Sequence, residues 1–257
     1  MLDTRNELTT LEQVRHPYII KLYCHFIVQT EETNNMYIFM ELATGGNLYK
    51  FIQKTGVPNE TLGKKYFAQI LCGINHMHGY NIAHRDIKPQ NVLLVEEKRS
   101  ITGDYLLRVT DFGLSTMVKN NCGNIIANKT ICGTPIFMAP ELLDKKRYDA
   151  YQVDIWALGI TLYIMLAMEA PFNFNNRKLT DVCQDMKASG WEWSEQMKSS
   201  PSEQLNSIMK AMLQPDPNKR IRLSELIYHD WIRCDYNAAH DLSDKLKLEE
   251  LNQNMNI

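Results

Sequence analysis

The chain has 257 residues, 44% of them apolar and 23% charged, with a formal net charge of −2. That leaves room for one large domain or two small lobes of ordinary globular composition, and the near-zero charge argues against a nucleic-acid or polyanion binder. The polar start MLDTRNELTT is not a secretory signal, no run approaches the length of a membrane span, and the six cysteines, widely and irregularly spaced, read as reduced thiols of a cytoplasmic protein.

Along the chain, Leu8, Leu11 and Val14 fall at helical spacing, which predicts a short amphipathic helix over Leu2–Val14. HPYIIKLY and NNMYIFMEL are rich in strand formers and flank the polar stretch TEETNN, so they predict two strands of one hairpin. TGG at 44–46 breaks the pattern, and Tyr66, Phe67, Ile70, Leu71, Ile74 and Met77 mark the inner face of a longer helix. NVLLV and LLRVTDF predict short strands separated by the charged EEKRSITG. Val153 to Met168 is apolar on nearly every side, as in a helix at the centre of a helical domain. SEQLNSIMKAML and LSELIYHDWI predict two amphipathic helices with a serine N-cap at each start. The tail from Asp235 has few apolar residues and is expected to fray or to lie outside the core, and LKLEEL within it shows no basic face.

The chemistry concentrates in AHRDIKPQNVLL, residues 83–94, which sets an Asp, a Lys and an Asn within six residues. A carboxylate that accepts a hydroxyl proton, an ammonium that reaches a phosphoryl group and an amide oxygen for a hard metal ion suit phosphoryl transfer. Asp86, Lys88 and Asn91 fill those places, and TDFGLS adds a second metal ligand in Asp111, with Gly113 permitting a sharp turn.

With His84-Arg85-Asp86 and Asn91, Asp111-Phe112-Gly113 and Ala139-Pro140-Glu141 in this order, the chain resembles the eukaryotic protein kinase family from about Glu7 to Arg233. The resemblance implies an α+β, two-lobed fold. Residues 1–43 would be a partial small lobe of one helix, two strands and the hinge, 44–233 the large helical lobe, and 234–257 a tail. It implies ATP and Mg²⁺ as cofactors, with Asn91 and Asp111 on the metal. Met40 would back the adenine pocket, the backbone of Glu41, Leu42 and Ala43 would form the hinge, and Leu93 would lie under the ring. His84 and Phe112, with Leu11 and Leu22, would stack in an internal column. Asp154 would anchor the catalytic loop, and Glu141 and Arg220 would form a buried ion pair. The Lys in DIKPQN and the segment CGTPIFMAPE resemble serine/threonine kinases, with Thr134 bonded to Asp86 and Lys88. Thr130 resembles an activating phosphosite, the work of an upstream kinase, with Arg85 as its phosphate partner. GGNLYKFI, HRDIKPQNVLL and ICGTPIFMAPE are most similar to the autophagy-initiating and calcium/calmodulin-dependent-type kinases. Acidic residues that select basic substrates are replaced by Asn47, Gln90 and Ile164.

The family's glycine-rich loop and strand lysine, the partner of Glu7, do not occur in this sequence. The small lobe is therefore expected to lack its first three strands, with the true start upstream of Met1. The expected function is ATP-dependent phosphorylation of Ser/Thr in protein substrates. The alternative is an inactive kinase-like scaffold or binding module.

Smaller features carry blander expectations. Cys132 reads as a small residue packed under the activation segment, and Trp191 and Trp193 as core contacts rather than a peptide-docking groove.

Overall fold

The computed structural model describes residues 2–29, 34–96, 105–119, 126, 128, 130–144, 147–195, 197 and 201–255. The expected turn at 30–33 and the charged loop at 97–104 lie outside them.

An N-terminal helix α1 (Leu2–Gln13) is followed by an antiparallel hairpin of β1 (Leu22–Gln29) and β2 (Asn34–Met40), with Leu22 opposite Met40 and Gln29 opposite Asn34. The expected strand over HPYIIKLY begins only at Leu22. Tyr18, Ile19 and Ile20 are instead buried in the core, where the backbone of Tyr18 and Ile20 pairs with that of Val109. A residue run buried on every side cannot present the solvated face of a half-buried hairpin strand, so its β-rich composition serves packing here.

The chain then becomes mostly helical. α2 (Leu48–Thr55) starts where the Asn47 side chain accepts the Lys50 N–H at 2.9 Å, and α3 (Glu60–Gly79) where Asn59 accepts that of Leu62 at 2.9 Å. These side-chain acceptors satisfy amide groups that a helix start leaves orphaned. Two short strand pairs follow. β3 (Ile82–Ala83) pairs with β6 (Thr116–Met117), and β4 (Val92–Glu96) with β5 (Tyr105–Val109), all antiparallel.

Beyond α4 (Pro140–Leu143) runs α5 (Ala150–Ala167), capped by Asp149 and buried on almost every face. By length and composition α5 would pass as a membrane span, contrary to the expectation that no run approaches one. It is 94% buried inside the protein and is its central core helix. α6 (Leu179–Lys187) and α7 (Glu203–Met212) follow, the latter capped by Ser202, which accepts the Leu205 N–H at 3.0 Å.

Two expectations fail at the C-terminal end. LSELIYHDWI forms only the single turn α8 (Leu223–Leu226), and Ser224 does not cap it. The start is closed instead by Glu225 accepting the Arg222 N–H at 3.0 Å. The tail does not fray: Arg233–Met255 is one helix, α9, laid along α3. Its inner stripe is Tyr236, Ala239, Ser243 and Leu246, an i, i+3, i+7, i+10 pattern. Two of these are small or polar, so the stripe escaped a search for apolar periodicity.

Candidate active site

The loop between β3 and β4 is held from beneath by α5. Asp154, fully buried, accepts the His84 N–H at 2.9 Å on one carboxylate oxygen and the Arg85 N–H at 2.8 Å on the other. His78 Nε2 lies 2.8 Å from the first oxygen. Arg85 adopts φ +66°, a left-handed conformation unusual outside glycine that persists only where the surroundings fix it. Asp154 supplies that fixing. The ring of His84 packs against Phe112 with centroids 5.3 Å apart, and its Nε2 lies 3.1 Å from the Thr110 carbonyl oxygen.

Asp86 is the hub. One oxygen accepts from Lys88 Nζ at 2.6 Å and Asn91 Nδ2 at 3.0 Å, the other from the Thr134 N–H at 3.1 Å and its hydroxyl at 3.0 Å. Lys88 Nζ also donates to Thr134 Oγ1 at 2.8 Å. Burial pushes the Asp86 carboxyl up, but the bond and charge of Lys88 and the bond from Thr134 outweigh it and hold the group below the ordinary aspartate range. Asp86 is therefore a charged, oriented acceptor. Thr134 reaches it because Gly133, at φ +103°, lets the chain pass close by: a Cβ there would sit 2.8 Å from the Arg85 carbonyl oxygen.

Asn91 also donates from Nδ2 to the Asp86 carbonyl at 3.0 Å, so its amide oxygen turns away from Asp86, with no hydrogen-bond partner among the described residues. Val92 and Val109 are opposed in the β4–β5 pair, and Thr110 N–H donates to the Asn91 carbonyl at 3.0 Å. Asn91 and Asp111 thus leave the same end of one hairpin, and Asp111 is exposed at φ +68°. One carboxylate and one amide oxygen are hard donors, the type Mg²⁺ takes when substrate phosphates complete its shell. No cluster of three or more His, Cys, Asp or Glu with metal-binding geometry occurs among the described residues.

Glu7 lies beside Asp111. Burial and the Asp111 charge raise its pKa, while a hydrogen bond from the Phe112 N–H works the other way. Of the expected internal column, His84 and Phe112 are in ring contact, Leu11 is buried in the same core as Phe112, and Leu22 is partly buried against that core. Met40 ends β2 half-exposed, and Leu42 is exposed. Gly45 N–H donates to Leu94 O at 3.0 Å and Leu94 N–H to Gly46 O at 2.8 Å, which brings the segment after Ala43 alongside Leu93.

Two contacts escaped the sequence reading. Glu41 and Arg108 form a bidentate pair, Nε to Oε2 at 2.8 Å and a terminal nitrogen to Oε1 at 3.2 Å, tying the segment after β2 to β5. The only sequence signal was an arginine three residues before Asp111. Tyr148 stands between Arg85 and Thr130: it accepts from Arg85 at 3.3 Å and donates to the Thr130 carbonyl at 2.7 Å. Thr130 itself is exposed. Farther off, Glu141 and Arg220 meet as a two-point pair at 2.7 and 2.9 Å. Trp193 is buried and stacks on Tyr163 at 5.0 Å, a core contact, with Trp191 edge-on to it.

Comparison with protein-family profiles matches the protein kinase domain over residues 2–232. The chain belongs to the protein kinase family. CBL-interacting protein kinase 10 of Oryza sativa subsp. japonica is 31% identical over 241 residues, covering 94% of this kinase and 49% of that protein. CBL-interacting serine/threonine-protein kinase 20 of Arabidopsis thaliana is 32% identical over 234 residues, covering 89% and 48%. Probable serine/threonine-protein kinase MARK-B of Dictyostelium discoideum is 29% identical over 257 residues, covering 98% and 34%. The kinase described here thus spans about half or less of the length of these relatives. Its α9 lies beyond the matched region.

Proposed function

We propose that the chain binds ATP where the segment after β2 meets β4 and transfers the γ-phosphoryl to serine or threonine hydroxyls of protein substrates. The observation that carries this reading is the four-fold hydrogen bonding of Asp86 by Lys88, Asn91 and Thr134. In such a transfer there is little covalent chemistry for the protein to do, and positioning plus charge stabilisation dominate. Asp86 orients the incoming hydroxyl and takes its proton as the oxygen becomes acidic late in transfer. Lys88 offsets charge on the phosphoryl oxygens. Asn91 Oδ1 and Asp111 would hold Mg²⁺, which when bound neutralises charge on the nucleotide phosphates. Glu41, Leu42 and Ala43 supply backbone groups for the adenine edge, and Met40 and Leu93 its apolar walls.

Substrates lack a strong requirement for arginine at the close upstream positions, because Asn47, Gln90 and Ile164 carry no negative charge. Phosphorylation of Thr130 by an upstream kinase would add about −1.5 to −2 charge near Arg85 and tighten the activation segment. Free cysteines at 24, 72, 132, 183 and 234 suit a cytoplasmic setting.

A second reading, a kinase-like binding module without activity, is favoured by the exposed aromatic face of β1 and β2, where Phe26 stacks on Tyr37 and Phe39 at 5.3 and 5.5 Å. Transfer of labelled phosphate from ATP to a Ser/Thr-containing protein decides between them. Transfer abolished by Asp86→Asn supports the enzyme. Specific binding to a partner with no transfer, unchanged by Asp86→Asn, supports the module.

A further inference from the structure

The turn that carries Asp111 is gripped by α1 at two points. Thr10 lies one helical turn after Glu7, on the same face of α1. Thr10 and Ser115 are 5% and 2% exposed, and their hydroxyl oxygens are 2.7 Å apart. The Ser115 hydroxyl donates its single proton to the Phe112 carbonyl at 2.8 Å. With the Ser115 proton so placed, Thr10 is the donor of the pair, and a hydrogen-bonded chain runs from Thr10 through Ser115 to the Phe112 carbonyl. The Phe112 N–H is bonded to Glu7. The Phe112 N–H is thus tied to α1 directly, and its carbonyl, which also accepts the Ser115 N–H at 3.0 Å, is tied to α1 through the Ser115 hydroxyl, while the Phe112 ring is fully buried against His84. Asp111 itself holds φ +68°, a backbone state that needs its neighbours to keep it.

We propose that Thr10 and Ser115 are positioning residues for Asp111, setting the metal-binding carboxylate by the seating of α1. The proposal rests on the kinase reading for what Asp111 binds, though not for the mechanical link. A merely structural hydroxyl pair would affect stability alone. A positioning pair affects where Asp111 points, and hence the cooperation between Mg²⁺ and nucleotide.

The test uses the full chain with Thr10→Val, which keeps the shape and removes the donor, together with Ser115→Ala, the double variant and Thr10→Ser. ATP binding is titrated by calorimetry in EDTA and at rising Mg²⁺, and exchange of the Phe112 amide is followed by NMR. Loss of one buried hydrogen bond predicts a rise of about threefold to tenfold in the Mg²⁺ needed for half-maximal nucleotide binding. Binding in EDTA should stay within about twofold, Thr10→Ser should restore the wild-type value, and the double variant should be no worse than either single one, since they break one chain. Phe112 amide exchange should quicken in Thr10→Val by a similar factor. An unchanged Mg²⁺ midpoint, or an equal shift with and without Mg²⁺, would overturn the proposal. If the wild-type chain binds no Mg²⁺-dependent nucleotide, the kinase reading falls. The positioning link is then judged on exchange alone: quickening at Phe112 with Thr10→Val and recovery with Thr10→Ser sustain it, and unchanged exchange sinks it.

Discussion

Arg220 offers the sharpest measurement of how the fold supports this site. Its side chain is completely buried and uses every guanidinium proton: two on Glu141 at 2.7 and 2.9 Å, and one each on the carbonyls of Gln152, Gln214 and Pro215 at 2.7, 2.8 and 3.3 Å. Glu141→Gln keeps the shape and one acceptor, but removes the countercharge and turns an amide N–H₂ toward a donor. Breaking one side of such a pair costs about 3–5 kcal/mol; with one acceptor retained, the lower end, about 3 kcal/mol, is expected. For a chain of this length that lowers Tm by about 6–12 °C. Urea titration followed by tryptophan fluorescence reads it directly, since Trp156 lies under the guanidinium at 5.1 Å. Arg220→Met should cost at least as much, because it strands three carbonyls as well as the carboxylate. The double variant should cost less than the sum by about 2 kcal/mol. A loss under about 1 kcal/mol for Glu141→Gln, or additivity within about 0.5 kcal/mol, would refute the reasoning.

Other outcomes follow from particular contacts. His16, packed against His76 at 4.7 Å and facing Ser243, Lys247, His240 and Asp244 of α9, is pushed down to about 3 by burial and then by the charges of His76 and Lys247. Because its folded pKa is depressed, the stability it protects is fully present above pH 6.5 and is lost as pH falls toward 3. The expected loss is about 2 kcal/mol between pH 6.5 and 5, read as a falling urea midpoint that flattens in His16→Gln. Arg108→Lys removes the fork that grips Glu41 and should lower stability by about 1–2 kcal/mol and weaken nucleotide binding severalfold by calorimetry, with Asp86-dependent steps unaffected. Asp154→Asn gives one of its two faces an N–H₂ where donors already point, so either the Arg85 amide or the His84 amide and His78 lose their acceptor. About 3 kcal/mol of stability and most phosphate transfer should go together, measured by urea titration and labelled ATP.

What could be read from the residues themselves was whatever lay in consecutive positions, and the family resemblance added three long-range relations that the structure shows: Thr134 with Asp86 and Lys88, Asp154 with the loop before Asp86, and Glu141 with Arg220. AHRDIKPQN and TDFG stand out because the Asp86 cluster and the Asp111 turn are built from short loops. α5 announces itself because burial on all sides leaves no polar face. Three kinds of feature were hidden. The first is burial by small or polar side chains: Ala239 and Ser243 seat α9 on α3, and neither stands out as a large apolar position. The second is β-rich sequence used as core filling, as at Tyr18–Ile20, where a Cβ on Gly73 of α3 would lie 2.9 Å from the Tyr18 carbonyl oxygen. The third is pairing between distant positions that the family's motifs do not mark. Nothing near Thr10 points to Ser115, and nothing near Glu41 points to Arg108, since both are made only when α1 and β5 are brought against their neighbours.

The left-handed backbone at Arg85 and Asp111 explains why so polar a site sits on so apolar a helix. Each such residue costs about 1–3 kcal/mol and relaxes unless its neighbours over-determine it. At Arg85 the constraint is Asp154, a carboxylate on α5 that can hold its direction only because α5 cannot rotate: its buried faces are packed all round. At Asp111 the constraint comes from both sides, with His84 against the carbonyl of Thr110 before it and α1 holding Phe112 after it. His84 joins the two, since its own N–H is fixed by Asp154. A shift of α1 would therefore be felt first at Asp111 and last at Asp86, which rests on α5 and on its four bonds. The Asp111 side of the site is thus the side that answers to α1, and the Asp86 side is the part the core holds still.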